Sequence, residues 1–331
     1  MTRVQAVPGL DARARDRHAL HGREGDWTET NCYADFWIGL LHALELEPLA
    51  LFGHTLAADF EGDQWTFFKP SQRDLRDLYG IDVQEMTMWR PLEEHALEHL
   101  AAGKLVAVET DSFWLPDTAG TDYRSKHTKT TVLMADIDPQ GRRLGYFHNA
   151  GYFELEGEDY AQLFRIGAAP DAAGLPLFAE LVHVERRVRR PAAQLAPRAL
   201  ALLREHFEWR PATNPFVRFG ERFERDLPRM REAGLDHYHA WAFASIRQAG
   251  AAFELAAAHL EWLARCGWPG LQDPAQRFRE ISSTNKSLIL KGARAVHTGK
   301  PFDVAEPARA MALAWDAGMA QLSHVLMQSP P

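Results

Sequence analysis

Past Arg189-Arg190-Pro191 the chain stops showing strand signals: Ala, Leu, Arg and Glu dominate, and segments such as His239 to Cys266 carry an apolar stripe at helical period. Before that point, apolar runs of strand length alternate with brief helical patterns. Such a division excludes a single parallel α/β sheet wound through the whole length. It requires an α+β part followed by an all-helical part of four or five helices. The expected plan is a polar leader over 1–25, a mixed domain over 26–190 and a helical domain over 191–331. With 331 residues and 46% hydrophobic side chains the chain can fill two modest cores. No internal repeat or low-complexity tract interrupts the plan.

Within the mixed part, Phe36, Trp37, Leu40, Leu41 and Leu44 recur at helical spacing after Thr30 and Asn31, either of which can cap a helix, and Pro48 ends the pattern. Strands are expected over Leu49 to Ala57, Trp65 to Phe68, Ile81 to Trp89 and Leu105 to Phe113. Helices are expected over Ser71 to Tyr79, closed by Gly80, and between Pro91 and Gly103. His127 to Ile137 and Leu144 to Phe153 read as neighbouring strands joined by the turn Asp138-Pro139-Gln140-Gly141, with a last strand over Leu177 to Val188.

Charge and cysteine usage narrow the function classes. The formal charge of −8 argues against a general affinity for nucleic acid or an anionic membrane surface. No run approaches the roughly 20 apolar residues of a membrane span. The polar start, with Asp11, Arg13, Arg15, Asp16 and Arg17, lacks the apolar stretch of a secretion signal. Two cysteines far apart, Cys32 and Cys266, suit a reducing cytoplasm better than a disulfide scaffold.

Cys32 is the chemically pointed one. It follows a capping residue directly and so enters the first turn of a helix, where unpaired N–H groups and the positive dipole end favour an anionic sulfur. A plainer reading, a small thiol packed in the core, suits Cys266 in Arg265-Cys266-Gly267-Trp268 better. A nucleophilic thiol needs a base, and His127, at the head of a strand after a turn-rich loop, can present its ring to a cleft. Asn149, at the end of the adjoining strand, can orient that imidazole, although Asn149-Ala150-Gly151 is also a good turn. Asp111, ending the strand Leu105 to Phe113, and His148 compete for the orienting place. Alternation sets His148 on the face opposite Asn149.

Four stretches carry a family resemblance: Glu29-Thr30-Asn31-Cys32-Tyr33, Asp59-Phe60-Glu61-Gly62-Asp63-Gln64, His127-Thr128-Lys129-Thr130-Thr131, and Tyr146-Phe147-His148-Asn149-Ala150-Gly151-Tyr152-Phe153. Together they resemble the bacterial domain-of-unknown-function family eighteen thirty-nine. More distantly the arrangement is similar to the butirosin biosynthesis acyltransferase, whose papain-like domain passes an acyl group from a carrier-protein thioester to an amine. The resemblance implies a papain-like helix packed on a mostly antiparallel sheet, with Cys32, His127 and Asn149 as the triad. It also implies an acyl or aminoacyl carrier protein as partner, because members tend to be encoded beside amino-acid:carrier-protein ligases. Phosphopantetheine would arrive on that partner, a small molecule would accept the acyl group, and no cofactor of its own is implied. A peptidase or thioesterase using the same residues, and a non-catalytic carrier-binding protein, are the alternatives.

One departure matters. Papain-like enzymes place a Gln before the cysteine to help hold the oxyanion, whereas Gly25-Asp26-Trp27-Thr28-Glu29-Thr30-Asn31 contains none. The Cys32 N–H can supply one donor, and Asn31, Thr28 or Gln64 is the candidate for the second. Arg247, Glu254, Asn285 and Lys286, polar residues within apolar helical stretches, are candidates for lining an acceptor pocket, against the plainer reading of exposed faces with snorkelling stems. His95 and His99 have zinc-compatible spacing without a third ligand, and His237 and His239 read the same way. Asp59, Glu61 and Asp63 lack calcium-loop spacing. Arg218, Arg222, Arg225, Arg229 and Arg231 are interleaved with acids and read as a salt-bridged helix.

Overall fold

The computed structural model describes residues 3–14, 16–22, 27–167 and 175–328. Met1, Thr2, Arg15 and residues 23–25 of the expected leader, together with Asp26, lie outside them. Contacts divide the chain into two compact units, one from 1–24, 32–47 and 75–189, the other from 25–31, 48–74 and 190–331. The architecture is α+β, with an antiparallel sheet in the first unit and helices dominating the second.

The sheet unit is built from β1 (Val4–Gln5), α1 (Cys32–Ala43), most of α2 (Gln72–Tyr79), β4 (Asp82–Glu85), α3 (Leu92–Ala101), β5 (Leu105–Asp111), β6 (Lys129–Asp138), β7 (Arg143–His148), β8 (Gly151–Glu156), α4 (Gly157–Leu163) and β9 (Ala179–His183). Its strands run in the order β4-β9-β5-β6-β7-β8, and β1 continues beside β6 where β5 leaves off. From Thr130 to Ile137 every residue of β6 is buried, which requires cover on both faces. α1 packs over β6 and β7, with Phe36, Trp37, Leu40 and Leu41 at full burial. Gly39 allows this approach, since a β-carbon there would stand 3.3 Å from the Phe147 ring. α3 packs on β5 and β6, and its Glu93 accepts from the Tyr160 hydroxyl of α4 at 2.6 Å.

The stretch read as a polar leader contributes to this unit. Val4 and Gln5 pair with Ile137 and Asp136, Arg3 Nε donates to the buried Asp136 at 2.7 Å, and Val7 is buried. Farther on, His21 meets Asp35 of α1 at 3.1 Å, both of them buried. A two-residue strand is too short to leave an alternating signature, so the polar residues around it dominated the reading.

The helical unit holds the hairpin β2 (Phe60–Glu61) and β3 (Gln64–Trp65), with α5 (Ala192–Glu208), α6 (Pro215–Ala233), α7 (Leu235–Ala242), α8 (Gln248–Arg265), α9 (Gln272–Thr298) and α10 (Ala305–Gln328). A π-helical segment, Phe243–Arg247, joins α7 and α8 into one rod, so five rods follow residue 190 among the described residues. Trp65 packs with Phe216 and Phe253 at centroid separations of 4.8 and 6.2 Å, and Phe253 with Phe278 of α9 at 5.5 Å. Each such buried ring contributes about 1.5–3 kcal/mol of apolar transfer.

Four expected elements change. Leu49 to Ala57 is a 3₁₀ helix, Pro48–Ala57, rather than a strand. Its apolar run has no alternation to discriminate the two, and the choice is settled locally: Thr55 Oγ1 and His54 Nδ1 each donate to the carbonyl three residues back, at 2.7 and 2.9 Å. Leu144 to Phe153 is two strands, broken at Asn149, where φ is +45°. The strands expected over Ile81 to Trp89 and Leu177 to Val188 shorten to β4 and β9. The helix closed by Gly80 forms as expected, and the glycine is required: φ is +69°, and a β-carbon would lie 2.8 Å from the Arg186 carbonyl oxygen. Cys32 and Cys266 form no disulfide among the described residues and are both half-buried, and no helix among the described residues is long and apolar enough to cross a membrane.

Candidate active site

Register decides which side chains share a face of the sheet. Ala107 of β5 pairs with both Leu133 of β6 and Glu180 of β9, and Leu133 pairs with Phe147 of β7. This row faces α1, because Phe147 meets Gly39 and Glu180 accepts from the Tyr33 hydroxyl at 2.9 Å. With a side-chain period of two, Glu109 and Asp111 follow Ala107 on the same face. Asp111 ends β5 opposite Lys129, and there it meets His127, just ahead of β6.

His127 Nδ1 and Asp111 Oδ2 are 2.6 Å apart. The other carboxylate oxygen accepts from the Phe113 N–H at 3.1 Å, and the imidazole lies flat on the Phe113 ring, with centroids 4.4 Å apart and planes 10° from parallel. A carboxylate on Nδ1 places the proton on that nitrogen and leaves Nε2 with its lone pair. Nε2 has no hydrogen-bond partner among the described residues. A hydrogen bond to a carboxylate from an imidazole that is 70% exposed adds at most about 1 kcal/mol to stability, so its main consequence is orientation.

The loop carrying His127 is tied down along its length. Ser112 N–H donates to the Thr128 carbonyl at 2.9 Å, Ser112 Oγ donates to Asp122 at 2.9 Å, and Arg124 N–H donates to the Phe113 carbonyl at 3.0 Å. Cys32, half-buried, is the first residue of α1, where N–H groups lack intrahelical acceptors. Its thiol has no hydrogen-bond partner among the described residues, and no hydrogen bond joins it to His127. Beside it, burial and the Glu180 carboxylate push the Tyr33 hydroxyl far above its ordinary range.

On the opposite face His148 is fully enclosed. Its Nδ1 lies 2.6 Å from Asp117 Oδ2 and its Nε2 2.7 Å from Thr130 Oγ1, while the Tyr146 hydroxyl donates to Asp117 Oδ1 at 2.6 Å. Both the histidine and Asp117 have side chains 1% exposed. With Nδ1–H given to the carboxylate, Nε2 accepts from the Thr130 hydroxyl. Burial, and then Asp117, drive the Tyr146 hydroxyl well above its usual range.

The structure thus brings His127 together with Asp111. It puts Asn149 in the two-residue turn between β7 and β8, where its amide makes no hydrogen bond among the described residues. His148 lies on the face opposite the Ala107 row, whereas Asn149 belongs to the turn and to neither face of the sheet. Reading the sequence missed Phe113 and Asp117, which sit in short 3₁₀ turns without periodicity.

The DUF1839 N-terminal domain matches residues 16–184, and the DUF1839 C-terminal domain matches residues 192–324. The chain belongs to the DUF1839 family. No curated protein matches its sequence. The N-terminal DUF1839 match contains Cys32, Asp111, His127 and Asn149, and the C-terminal match spans α5 to most of α10.

The remaining candidates of this DUF1839 chain belong to the helical unit. Segment 27–31 is anchored there: the Trp27 indole donates to Ser282 Oγ at 2.7 Å, Thr30 receives Arg247 at 3.2 Å and Gln248 at 2.9 Å, and the buried Asn31 amide donates to the Phe68 carbonyl at 2.9 Å. Thr28 Oγ1 is buried with no hydrogen-bond partner among the described residues, whereas Gln64 is exposed on β3. Arg247 closes the π-helical segment, Asn285 and Glu254 are buried, and Lys286 is exposed on α9.

No group of three metal-ligating side chains occurs among the described residues. His95 and His99 of the sheet unit stack with centroids 6.1 Å apart, and Asp59 is engaged by Arg218. Of the arginine run on α6, Arg218 and Arg222 reach back to the hairpin, to Phe60 and Gly62 carbonyls at 3.3 and 2.9 Å, as well as pairing with acids.

Proposed function

We propose that the chain is a cysteine-dependent acyltransferase of papain-like build. In this reading Cys32 is the nucleophile, His127 its base, and Asp111 the residue that orients the imidazole. The observation that carries it is the 2.6 Å bond from Asp111 to His127 Nδ1, made on the sheet face that α1 covers and leaving Nε2 without a partner. Asp111 takes the orienting place in preference to Asn149, because the carboxylate is the group the imidazole meets.

The steps balance as follows. The Cys32 thiol proton passes to His127 Nε2 while sulfur bonds to the carbonyl carbon of a carrier-protein thioester. Collapse of the tetrahedral adduct breaks the carbon–sulfur bond to phosphopantetheine, whose thiolate takes the proton back. An acceptor amine then attacks the acyl-enzyme, its proton goes to His127, and Cys32 is released by protonation. The first exchange trades one thioester for another and is nearly balanced, so positioning and exclusion of water carry the specificity. The second carrier of oxyanion charge, beside the Cys32 N–H, is proposed among Thr28, Asn31 and Gln64. Arg247 and Lys286 are proposed on the acceptor side. The partner is an acyl or aminoacyl carrier protein in the cytoplasm, and no cofactor is held by this chain.

One observation favours a second reading, hydrolysis by the same residues: the imidazole is 70% exposed and open to water. Both readings require an acyl-enzyme. Incubation with a carrier protein loaded with an aminoacyl thioester is expected to add the acyl mass to the protein, with the label on the Cys32 peptide. Partition between an added amine and water then separates transferase from thioesterase. Absence of an adduct across a range of acyl thioesters, or its persistence in Cys32→Ala, removes the proposal.

A further inference from the structure

An imidazole 70% exposed to solvent is ordinarily free to turn about its side-chain torsions, and one hydrogen bond does not stop the ring from tilting about it. His127 has a second restraint. Its ring is the outermost member of a stack that runs inward through the loop between β5 and β6, wholly within the sheet unit. The imidazole lies on Phe113 with planes 10° apart, and Phe113 meets Trp114 edge to face, with centroids 4.8 Å apart and planes 73° from parallel. The guanidinium of Arg124 covers Trp114 at 4.5 Å from the ring centre. Arg124 then donates to Asp159 of α4 at 2.6 Å, and that carboxylate, with its side chain 9% exposed, accepts from the Tyr123 hydroxyl at 2.9 Å.

The backbone is bent to make this ladder. Arg124 has a φ of +55°, in the left-handed region that an arginine enters only at a cost and keeps only where its surroundings hold it there. In that conformation its N–H donates to the Phe113 carbonyl at 3.0 Å, while its side chain reaches over Trp114 and on to Asp159. Phe113 itself is used twice: its N–H holds one oxygen of Asp111 at 3.1 Å, and its ring carries the imidazole that the other oxygen meets. One residue thus fixes both members of the pair. An aliphatic side chain at 113 would fill the space without setting the plane of the imidazole.

We infer that Phe113 is the positioning residue for the His127 imidazole, and that Trp114, Arg124 and Asp159 form the anchor through which α4 keeps Phe113 in place. The inference rests on the reading of His127 as a base only for its effect on rate; the held ring is a property of the sheet unit alone. Asp111 sets which nitrogen carries the proton, and the Phe113 face sets the direction in which the Nε2 lone pair points. Proton transfer needs both, and a ring displaced by about 1 Å costs on the order of a hundredfold in rate.

The test compares Phe113→Leu and Phe113→Tyr with the native full chain, using isotope-labelled histidine for nuclear magnetic resonance and a carrier protein loaded with L-alanine as its thioester for acylation. Ring current from a stacked phenyl should displace the His127 ring protons upfield of those of an exposed histidine, the signal being assigned by its absence in His127→Gln. Phe113→Leu should abolish that displacement and slow Cys32 acylation about tenfold to a hundredfold at saturating donor, with the half-saturating concentration unchanged. Phe113→Tyr should restore both. Arg124→Lys keeps a charge for Asp159 but loses the planar group over Trp114, and should reduce both readings part-way, so it decides the matter should Phe113→Leu fold poorly. An undisplaced His127 signal in the native chain, a native rate in Phe113→Leu, or equal losses in Phe113→Leu and Phe113→Tyr overturns the inference. If the native chain takes no acyl group, the reading of Cys32 as nucleophile fails, and the displacement with its loss in Phe113→Leu still decides whether the ring is held.

Discussion

Acidification from about pH 7 to about pH 4.5 is expected to weaken the helical unit through two histidines with no part in the proposed chemistry. His54 and His259 are both buried, and their Nδ1–H groups donate to the Leu51 and Leu49 carbonyls at 2.9 and 2.7 Å, which fixes the neutral tautomer. Neither Nε2 has a hydrogen-bond partner among the described residues. Protonation would leave a buried cation facing only the Asp74 carboxylate, which His206 already engages at 3.0 Å. Burial lowers both imidazoles from 6.5 to about 4.

For a base depressed in the folded state, the unfolded chain binds more protons between the two values. Stability is therefore complete above about pH 6.5 and declines as pH falls toward 4. That difference is worth on the order of a few kcal/mol for each histidine, against a total of about 5–15 kcal/mol for a typical fold. His18 in the sheet unit, also lowered to about 4, adds in the same direction. The depressed carboxylate of Asp74 loses its contribution only below its ordinary value of 3.8, outside this window. Urea unfolding followed by far-ultraviolet circular dichroism at half-unit pH steps measures the slope. His259→Asn keeps a donor for the Leu49 carbonyl but cannot titrate, so its slope near pH 5 should be shallower than the native one by about 1.4 kcal/mol per unit. Parallel lines for the two proteins would refute the reasoning, whatever their absolute stabilities.

Three substitutions probe the other structural claims. Asp111→Asn should slow acylation of Cys32 by about a thousandfold while leaving unfolding within ~1 kcal/mol of native, measured by intact-mass time courses and urea titration. His148→Leu removes the partner of a carboxylate that is 1% exposed, and should cost about 3–5 kcal/mol in urea unfolding even though Tyr146 still donates to Asp117. Gly250→Ala would set a β-carbon 2.2 Å from the Trp27 ring, which Ser282 holds in place through the indole N–H, so the helical unit should lose about 1–3 kcal/mol in the same assay.

Much of the plan was legible because it rests on local periodicity. The pattern change near Arg190 coincides with the start of the long helical stretch, and the stripe of Phe36, Trp37, Leu40 and Leu41 marked the face that α1 buries. What escaped was long-range. Asn149, Asp111 and His148 were all credible neighbours of His127, and only the pairing of Asp111 with Lys129, together with the tethered loop from Ser112 to Thr128, brings one of them within 2.6 Å. Phe60 and Trp65 carry no periodic sign that they pack with Phe216 and Phe219 more than 150 residues on, so their place in the helical unit was not readable either. The 3₁₀ helix at Pro48–Ala57 was hidden because an apolar run buried on all sides looks alike in either conformation.

The account stands on Cys32 and His127 serving one reaction centre. Dibromoacetone, which alkylates a thiol at one end and an imidazole nitrogen at the other through a three-carbon bridge, tests that directly. Tandem mass spectrometry after digestion should find the Cys32 and His127 peptides joined, with no such species in His127→Ala. Efficient labelling of Cys32 with the second arm hydrolysed, or joined to a different residue, would contradict the account.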